Sequence, residues 1–306
     1  MKKLMVCAMA AMVALASCTK TELVDNSAPT PISFKAVTGS MTKAEQATGS
    51  FTQNLGVFAF DNANNNAPYF TNHAFNPNDA KTEWTGSNVF WPFQSSLDFV
   101  VYSPAVPGNG ATYDANKLTV TGIDNSGKTT LSAQTDYLYG TKYFDGLNGA
   151  GYGSTTEFAP VNTDLKHALA KIQINFDPIN VTIKSVSLTN PTLKGDYVVD
   201  YSTGTGDITW DPGDANGRLN LTGFDGNTVE IMVVPTAATN IEFTYTIDGT
   251  NNNNILPATI NLSNSSWEDG NLYIYNITVS PKLIKFAPPK VDTGWGTGST
   301  SDIEIK

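Results

Sequence analysis

The chain has 306 residues, of which 15% are charged, and its net charge is −10. Such an acidic chain, with Arg218 as its single arginine, lacks the basic patches that nucleic acid or an anionic membrane surface requires, which argues against both partners. Of the two cysteines, Cys7 lies in the leader described next and is expected to be removed with it, so no disulfide is predicted.

The first element is a predicted lipoprotein signal peptide over residues 1–17. Lys2 and Lys3 form a positive segment, residues 4–15 are apolar but too short to span a bilayer, and the run Leu-Ala-Ser-Cys ends in Cys18. In such a lipobox the cysteine becomes the first mature residue and carries acyl chains such as palmitate. The sequence therefore predicts an outer membrane lipoprotein at the cell surface. The alternative is an ordinary signal peptide that happens to contain Cys18.

Short segments rich in Val, Ile, Thr, Tyr and Phe follow through the rest of the chain, separated by Asn, Gly, Asp and Pro. This texture predicts an all-β fold of the sandwich type. Residues 164–171 carry the one plausible helical turn, which we interpret as the entry to a strand because a C-cap glycine is missing. The predicted strands are residues 32–34, 55–60, 89–93, 97–102, 117–121, 137–139, 171–176, 181–188, 197–201, 229–234, 241–247, 255–262 and 272–279.

The length predicts two domains after the leader. In chain order we predict a lipidated tether (18–30), an N-terminal β-sandwich (31–160), a C-terminal β-sandwich (161–287) and a C-terminal tail (288–306). The tail begins near a Pro-Pro pair that blocks continuation of a helix or central strand, yet it contains the alternating pair Ile303 and Ile305. It is therefore either a donor strand for another molecule or an edge strand of its own domain.

One segment matches a phosphate-binding pattern letter for letter. Residues 122–129, GIDNSGKT, satisfy G-x-x-x-x-G-K-[ST]. The pattern works only where a strand precedes it and a helix begins at the Lys-Thr pair, and residues 130–136 carry no apolar helical stripe. We therefore interpret the match as a polar β-hairpin loop.

Other residues that could carry chemistry do so without a supporting pattern. His73 and His167 do not have metal-ligand spacing, and the Asp/Asn-rich loops at residues 61–66 and 211–216 lack the ligand set of a known calcium loop. A nucleophile elbow is missing, so the sequence favours neither catalysis nor a cofactor. The five tryptophans could form a glycan platform, although core or turn packing is the more common role of this residue; they are Trp84, Trp91, Trp210, Trp267 and Trp295.

Four blocks together resemble the fimbrillin family, the subunits of the type V pili of Bacteroidales, and its lipoprotein relatives. They are WPFQSSLDFVVYSPA (91–105), TDYLYGTKY (135–143), LKHALAKIQINF (165–176) and WEDGNLYIYNITV (267–279). Their order matches the family across most of the mature chain. The resemblance implies two transthyretin-like β-sandwich domains in tandem and an assembly role without catalysis.

The resemblance also implies assembly by strand exchange. A protease would remove the first strand, residues 31–37, and a strand of another fimbrial subunit would fill the vacated groove. The candidate cleavage sites are Lys35 and Lys43, and the candidate plugs of the donor tail are Trp295, Ile303 and Ile305. The region before Phe51 contains no arginine, so it departs from the arginine-containing site of the family.

Two functions from different classes remain open at the level of sequence. The preferred one is a structural subunit of a cell-surface fimbrium that supports adhesion. The alternative is a lipid-anchored surface protein that does not polymerise, either a fimbrial anchor or a module that binds a glycan or another host or bacterial surface ligand. An enzyme is the third and weakest reading.

Overall fold

A computed structural model describes most of the chain outside the leader and the last residues. It describes residues 29–38, 52–92, 95–141, 144–147, 160–222, 227–249, 254–262, 266–293 and 295. Within these ranges, no helix combines the length and hydrophobicity needed to cross a bilayer.

The described residues are mainly β-strands, so the all-β prediction is confirmed. Three short 3-10 helices occur at Asn62–Asn64, Gly108–Gly110 and Leu131–Ala133. The strands of the first half are β1 (Pro31–Thr38), β2 (Leu55–Asp61), β3 (Ala67–Pro77), β4 (Trp84–Phe90), β5 (Leu97–Ser103), β6 (Ala111–Asp114), β7 (Lys117–Asp124), β8 (Leu138–Gly140), β9 (Phe144–Leu147) and β10 (Val161–His167). Those of the second half are β11 (Ala170–Pro178), β12 (Val181–Thr189), β13 (Lys194–Asp200), β14 (Asp207–Pro212), β15 (Arg218–Leu221), β16 (Thr228–Val233), β17 (Ile241–Ile247), β18 (Leu256–Ile260), β19 (Asn271–Val279), β20 (Ile284–Phe286) and β21 (Lys290–Thr293).

An eight-stranded sheet in the order β2-β3-β4-β1-β10-β8-β5-β9 forms the first half. Because β5 also pairs with β2, seven of these strands close into a ring, which we call the N-terminal ring. Apolar side chains from all seven strands meet inside it and leave no part of Leu55, Phe75 or Phe99 exposed. The ring therefore encloses a core of its own.

A second layer covers part of the outside of the N-terminal ring. Strands β14-β13-β7-β6 form a four-stranded sheet, the outer sheet, and a second apolar cluster lies between it and the ring. Strands β2 and β5 are consequently buried on both faces, which explains their nearly continuous apolar sequences LGVFAFD and LDFVVYS. Gly56 in β2 faces Tyr102 in β5, and a Cβ atom at Gly56 would overlap the buried Tyr102 ring.

The remaining strands of the second half form a sandwich of two sheets. The five-stranded sheet contains β16-β11-β19 with β20 and β21 on β19, and the four-stranded sheet has the order β15-β12-β17-β18. Alternate side chains of both sheets fill the space between them, as in a β-sandwich. Trp267, 2% exposed, is among the largest side chains in this core, and we call this unit the C-terminal sandwich.

Hydrogen bonding links the two halves of the chain. Strand β10 lies after residue 160 but pairs with β1 and β8 in the N-terminal ring. Strands β13 and β14 likewise lie after residue 160, and β13 pairs with β7 in the outer sheet. The predicted domain ranges 31–160 and 161–287 remain a prediction, and strand pairing crosses between them in two places. In the segment 164–171, residues 164–167 end β10 and residues 170 and 171 begin β11. The plausible helical turn is therefore absent, and the segment leads into a strand as interpreted.

Candidate functional site

Strand β1 contains the segment 31–37, for which the family resemblance led us to expect removal. Its side chains alternate, with Ile32 and Phe34 fully buried inside the N-terminal ring and Pro31 and Lys35 exposed. The Phe34 ring lies edge-on to Phe75 at 4.8 Å and to Phe99 at 5.2 Å between ring centroids. The two buried side chains therefore fill adjoining pockets in the core.

The backbone of β1 is paired on both sides. It runs parallel to β10, from Phe34 opposite Val161 to Thr38 opposite Leu165, and antiparallel to β4, with Phe34 opposite Trp84. At the start of the strand, the Trp91 amide donates to the Thr30 carbonyl at 2.9 Å. Removal of β1 would thus open the N-terminal ring and leave the facing edges of β4 and β10 without partners.

One of the two candidate cleavage sites, Lys35, lies among the described residues. Lys35 lies within β1, where its carbonyl accepts a 3.3 Å hydrogen bond from the Thr163 hydroxyl, although its side chain is exposed. Lys43 lies outside the described residues, in the connection between β1 and β2, and Cys18 also lies outside them. Lys35 is thus part of a strand paired on both sides.

The C-terminal segment returns to the junction between the N-terminal ring and the C-terminal sandwich. Strand β21 runs antiparallel to the first half of β19, with Thr293 opposite Asn271, and its one buried side chain is Val291. Trp295 follows and stacks on the His167 imidazole, with ring centroids 3.7 Å apart and planes 11° apart. The candidate plug Trp295 is therefore packed on its own chain, while Ile303 and Ile305 lie outside the described residues.

The surface that receives Trp295 is ordered by charged and polar contacts. His167 is 9% exposed, and its Nδ1 lies 2.9 Å from an Asp136 carboxylate oxygen. Nearby, the Asp269 carboxylate accepts hydrogen bonds from Lys166 Nζ at 2.6 Å and from the Tyr139 hydroxyl at 3.1 Å. Burial, together with the Asp269 charge, raises the pKa of Tyr139, so this hydroxyl remains a proton donor.

Comparison with known proteins agrees with this architecture. The sequence profile of a family described as fimbrillin-like matches residues 42–295. The chain belongs to the fimbrillin-like family. The matched range begins after β1 and includes Trp295. This membership fits a fimbrial or adhesive role at the cell surface and association with other fimbrial subunits, rather than catalysis. None of the curated proteins matches the chain in sequence.

Solved structures share the fold of this fimbrillin-like chain. A candidate cell adhesion protein of Bacteroides uniformis is 20% identical with a TM-score of 0.56, over 87% of this chain and 98% of its own. One from Bacteroides ovatus is 16% identical with a TM-score of 0.61, over 89% and 100% of the two chains. A fimbrial protein of Bacteroides vulgatus is 14% identical with a TM-score of 0.54, over 86% and 99%. At these identities the likeness shows the fold.

The phosphate-binding pattern of this fimbrillin-like protein is an ordinary connection between sheets. Lys128 Nζ donates to Asn125 Oδ1 at 3.0 Å and to the Thr135 hydroxyl at 3.2 Å, and the next helical element is a single 3-10 turn at Leu131–Ala133. Hydrogen bonds from Ser126 lower the pKa of Asp124, which keeps a negative charge in the loop. The segment joins β7 of the outer sheet to β8 of the N-terminal ring. These two strands lie in different sheets and do not pair, so the prediction of a hairpin loop is wrong, although the segment is a polar connection.

The other candidate residues have structural contacts. The tryptophans Trp84 and Trp267 are 2% exposed, and the remaining three are half-buried. Trp210 packs against Tyr197 and donates through Nε1 to the Ala168 carbonyl at 2.9 Å. In the loop at residues 61–66, Asp61 caps a 3-10 turn by accepting from the Ala63 amide. Among the described residues, no group of three or more His, Cys, Asp or Glu side chains could hold a metal ion.

Proposed function

We propose that this protein is a structural subunit of a cell-surface fimbrium that assembles by protease-activated strand exchange and supports adhesion. The observation that supports it most is the position of β1. This strand is the first described strand, yet it lies between β4 and β10 in the N-terminal ring and buries Ile32 and Phe34 completely. A cut between β1 and β2 would separate this strand from the rest of the chain.

The vacated groove would be unstable when empty, so binding of a new strand would be strongly favourable. Fully burying a side chain such as Ile or Phe is worth roughly 1.5–3 kcal/mol each, and unpaired backbone groups at the edges of β4 and β10 add to the cost of an empty groove. An incoming strand with apolar side chains two positions apart would satisfy both. In the tail, Ile303 and Ile305 have the same spacing as Ile32 and Phe34, so we assign them as the plugs offered to another subunit.

Cleavage after Lys43 fits this scheme better than cleavage after Lys35. A protease binds its substrate as an extended, unpaired segment, and Lys35 is held in a strand with partners on both sides. A cut after Lys35 would also leave residues 36–38 in the groove. A cut after Lys43 would release the whole of β1, together with the lipid anchor that we propose on Cys18 at the outer membrane.

Limited proteolysis tests the proposal. Purified, unacylated protein (residues 19–306) is treated with a low dose of trypsin, the products are identified by mass spectrometry, and the assemblies are sized without heating. We expect a cut after Lys43 followed by a ladder of oligomers. Lys43→Gln should stay uncut in this region and monomeric, whereas the matched control Lys35→Gln should be cut and assemble. A protein that is cut after Lys43, loses β1 and remains monomeric would refute strand exchange.

The second candidate is a lipid-anchored surface protein that does not polymerise. It is favoured by the lack of arginine before Phe51, since an arginine-specific protease could not act there. The uncut chain also closes its own N-terminal ring through β1. This candidate predicts that deletion of residues 296–306 leaves the oligomeric state and ligand binding unchanged.

A further inference from the structure

Beyond β21, the tail makes a further contact with its own subunit before the proposed plugs. Trp295 stacks on His167 and also donates through Nε1 to the Asn271 carbonyl at 3.1 Å. One contact is with the end of β10 and the other with the start of β19. A single side chain thus holds the tail against both the N-terminal ring and the C-terminal sandwich.

The site that holds Trp295 is ordered by the rest of the molecule. The His167 ring is oriented by Asp136, which precedes β8, through contacts of 2.9 and 3.0 Å to its two carboxylate oxygens. The turn before β19 is tied to the residues that follow β10, since the Gly270 amide donates to the Leu169 carbonyl at 3.0 Å. The stacking surface is therefore built by parts of the chain that are distant in sequence.

We propose that Trp295 is an intramolecular latch rather than a plug for a neighbouring subunit. In this arrangement β21 and Trp295 remain on their own subunit, and the segment that enters a second copy of the chain begins after Trp295. This inference rests on the proposed function, and of the three candidate plugs it keeps Ile303 and Ile305 and gives Trp295 a different role.

The latch limits the distance between two subunits. At about 3.4 Å per residue, the eight residue steps from Trp295 to Ile303 span at most about 27 Å. The groove that receives Ile303 must therefore lie within that distance of the latch on the donor. With the latch open, β21 could also peel away from β19, and the connection would become longer and more flexible.

The experiment compares the latch with a plug. Trp295→Ala and Ile303→Ala are each made in the protein of residues 19–306, and hydrogen exchange of peptides covering β21 is measured before any proteolysis. Trp295→Ala should speed exchange there by about tenfold, and Ile303→Ala should leave it unchanged. Trp295→Phe, which keeps a stacking ring but loses the Nε1 donor, should fall between wild type and Trp295→Ala. The matched control Trp91→Phe, a half-buried tryptophan packed against the core of the N-terminal ring, should exchange like wild type in β21.

Assembly after cleavage supplies the second readout. Trp295→Ala should still form oligomers, with a broader distribution of angles between neighbouring subunits in electron micrographs, whereas Ile303→Ala should lose them. If Trp295→Ala abolishes assembly and leaves exchange in β21 unchanged, Trp295 is a plug and the latch is refuted. If wild type itself does not assemble, the proposed function fails, while the exchange measurement on the uncut chain still decides whether the latch exists.

Discussion

The strands nearest the two ends of the described chain differ in how they are held. Strand β1 has a neighbour on each side and inserts two fully buried side chains into the N-terminal ring. Strand β21 pairs with β19 alone among the described strands and buries only Val291. Loss of β1 would expose the core of the N-terminal ring, while loss of β21 would expose one edge of β19. Removal of β1 should therefore cost much free energy, which a replacement strand would restore. Detachment of β21 should cost little.

The largest effect is expected at the centre of the groove. Phe34→Ala should lower the free energy of unfolding by about 3–5 kcal/mol, because it leaves a cavity between Phe75 and Phe99. Chemical denaturation followed by tryptophan fluorescence measures the change. Lys35→Ala, the exposed neighbour in the same strand, should change it by less than about 0.5 kcal/mol. Equal, small effects of both substitutions would mean that β1 does not hold the ring together.

A smaller effect is expected in β21. Val291→Ala removes two buried methyl groups and should cost about 1.5 kcal/mol at about 0.8 kcal/mol per group. The same denaturation experiment checks the value, with the exposed Thr293→Ala as the control. A loss as large as that of Phe34→Ala would remove the contrast between the two strands.

A loss of stability of similar size is expected for a contact at the junction between the two halves. The Gln134 side chain donates to the Met232 carbonyl at 2.8 Å and accepts from the Met232 amide at 2.6 Å. Gln134→Ala removes both hydrogen bonds and is expected to cost about 1–2 kcal/mol. Calorimetry should show whether the N-terminal ring and the C-terminal sandwich still unfold in one transition. If Gln134→Ala has no effect on either unit, this contact does not couple the two halves.

The smallest effect concerns a surface carboxylate away from both strands. Hydrogen bonds from the Ser202 amide and then from Lys117 lower the pKa of Asp200 from 3.8 to about 2. Because the folded-state pKa is lowered, the stabilisation is present above the ordinary value and is lost as the pH falls towards 2. The melting temperature of Asp200→Asn should therefore lie slightly below that of wild type at pH 7, and the difference should shrink between about pH 4 and pH 2. A difference independent of pH would exclude this origin.

Strands with a long apolar run could be predicted from sequence, whereas short strands and strands rich in polar residues could not. The segments 55–60 and 97–102 were predicted and lie within β2 and β5, because both faces of these strands are buried. Strand β3 was missed, since its eleven residues include Asn, His and Pro and few are fully buried. Strand β14 was missed for a similar reason, as it has no fully buried residue.

Some features of the candidate site could likewise be predicted from the sequence and others could not. The apolar alternation of Ile32 and Phe34 is visible in the sequence, and so is the spacing of Ile303 and Ile305. The place of Trp295 is not, because the partner of its ring is His167, more than a hundred residues earlier. The signal that could have directed attention there is the conjunction of Asp136 and His167 in two of the family-like blocks.

The sequence by itself determined that this is an all-β chain of the fimbrillin-like family, with an extended apolar segment at residues 31–37. Only the tertiary structure decided that this segment is central in a closed ring, that its parallel neighbour is β10, and that Trp295 rests at the junction of the two halves. The physical reason is that apolar alternation records which face of a strand is buried. Which strands become its neighbours depends on backbone hydrogen bonds between distant segments. Every residue except proline carries the same backbone donor and acceptor, so the local sequence does not specify these partners.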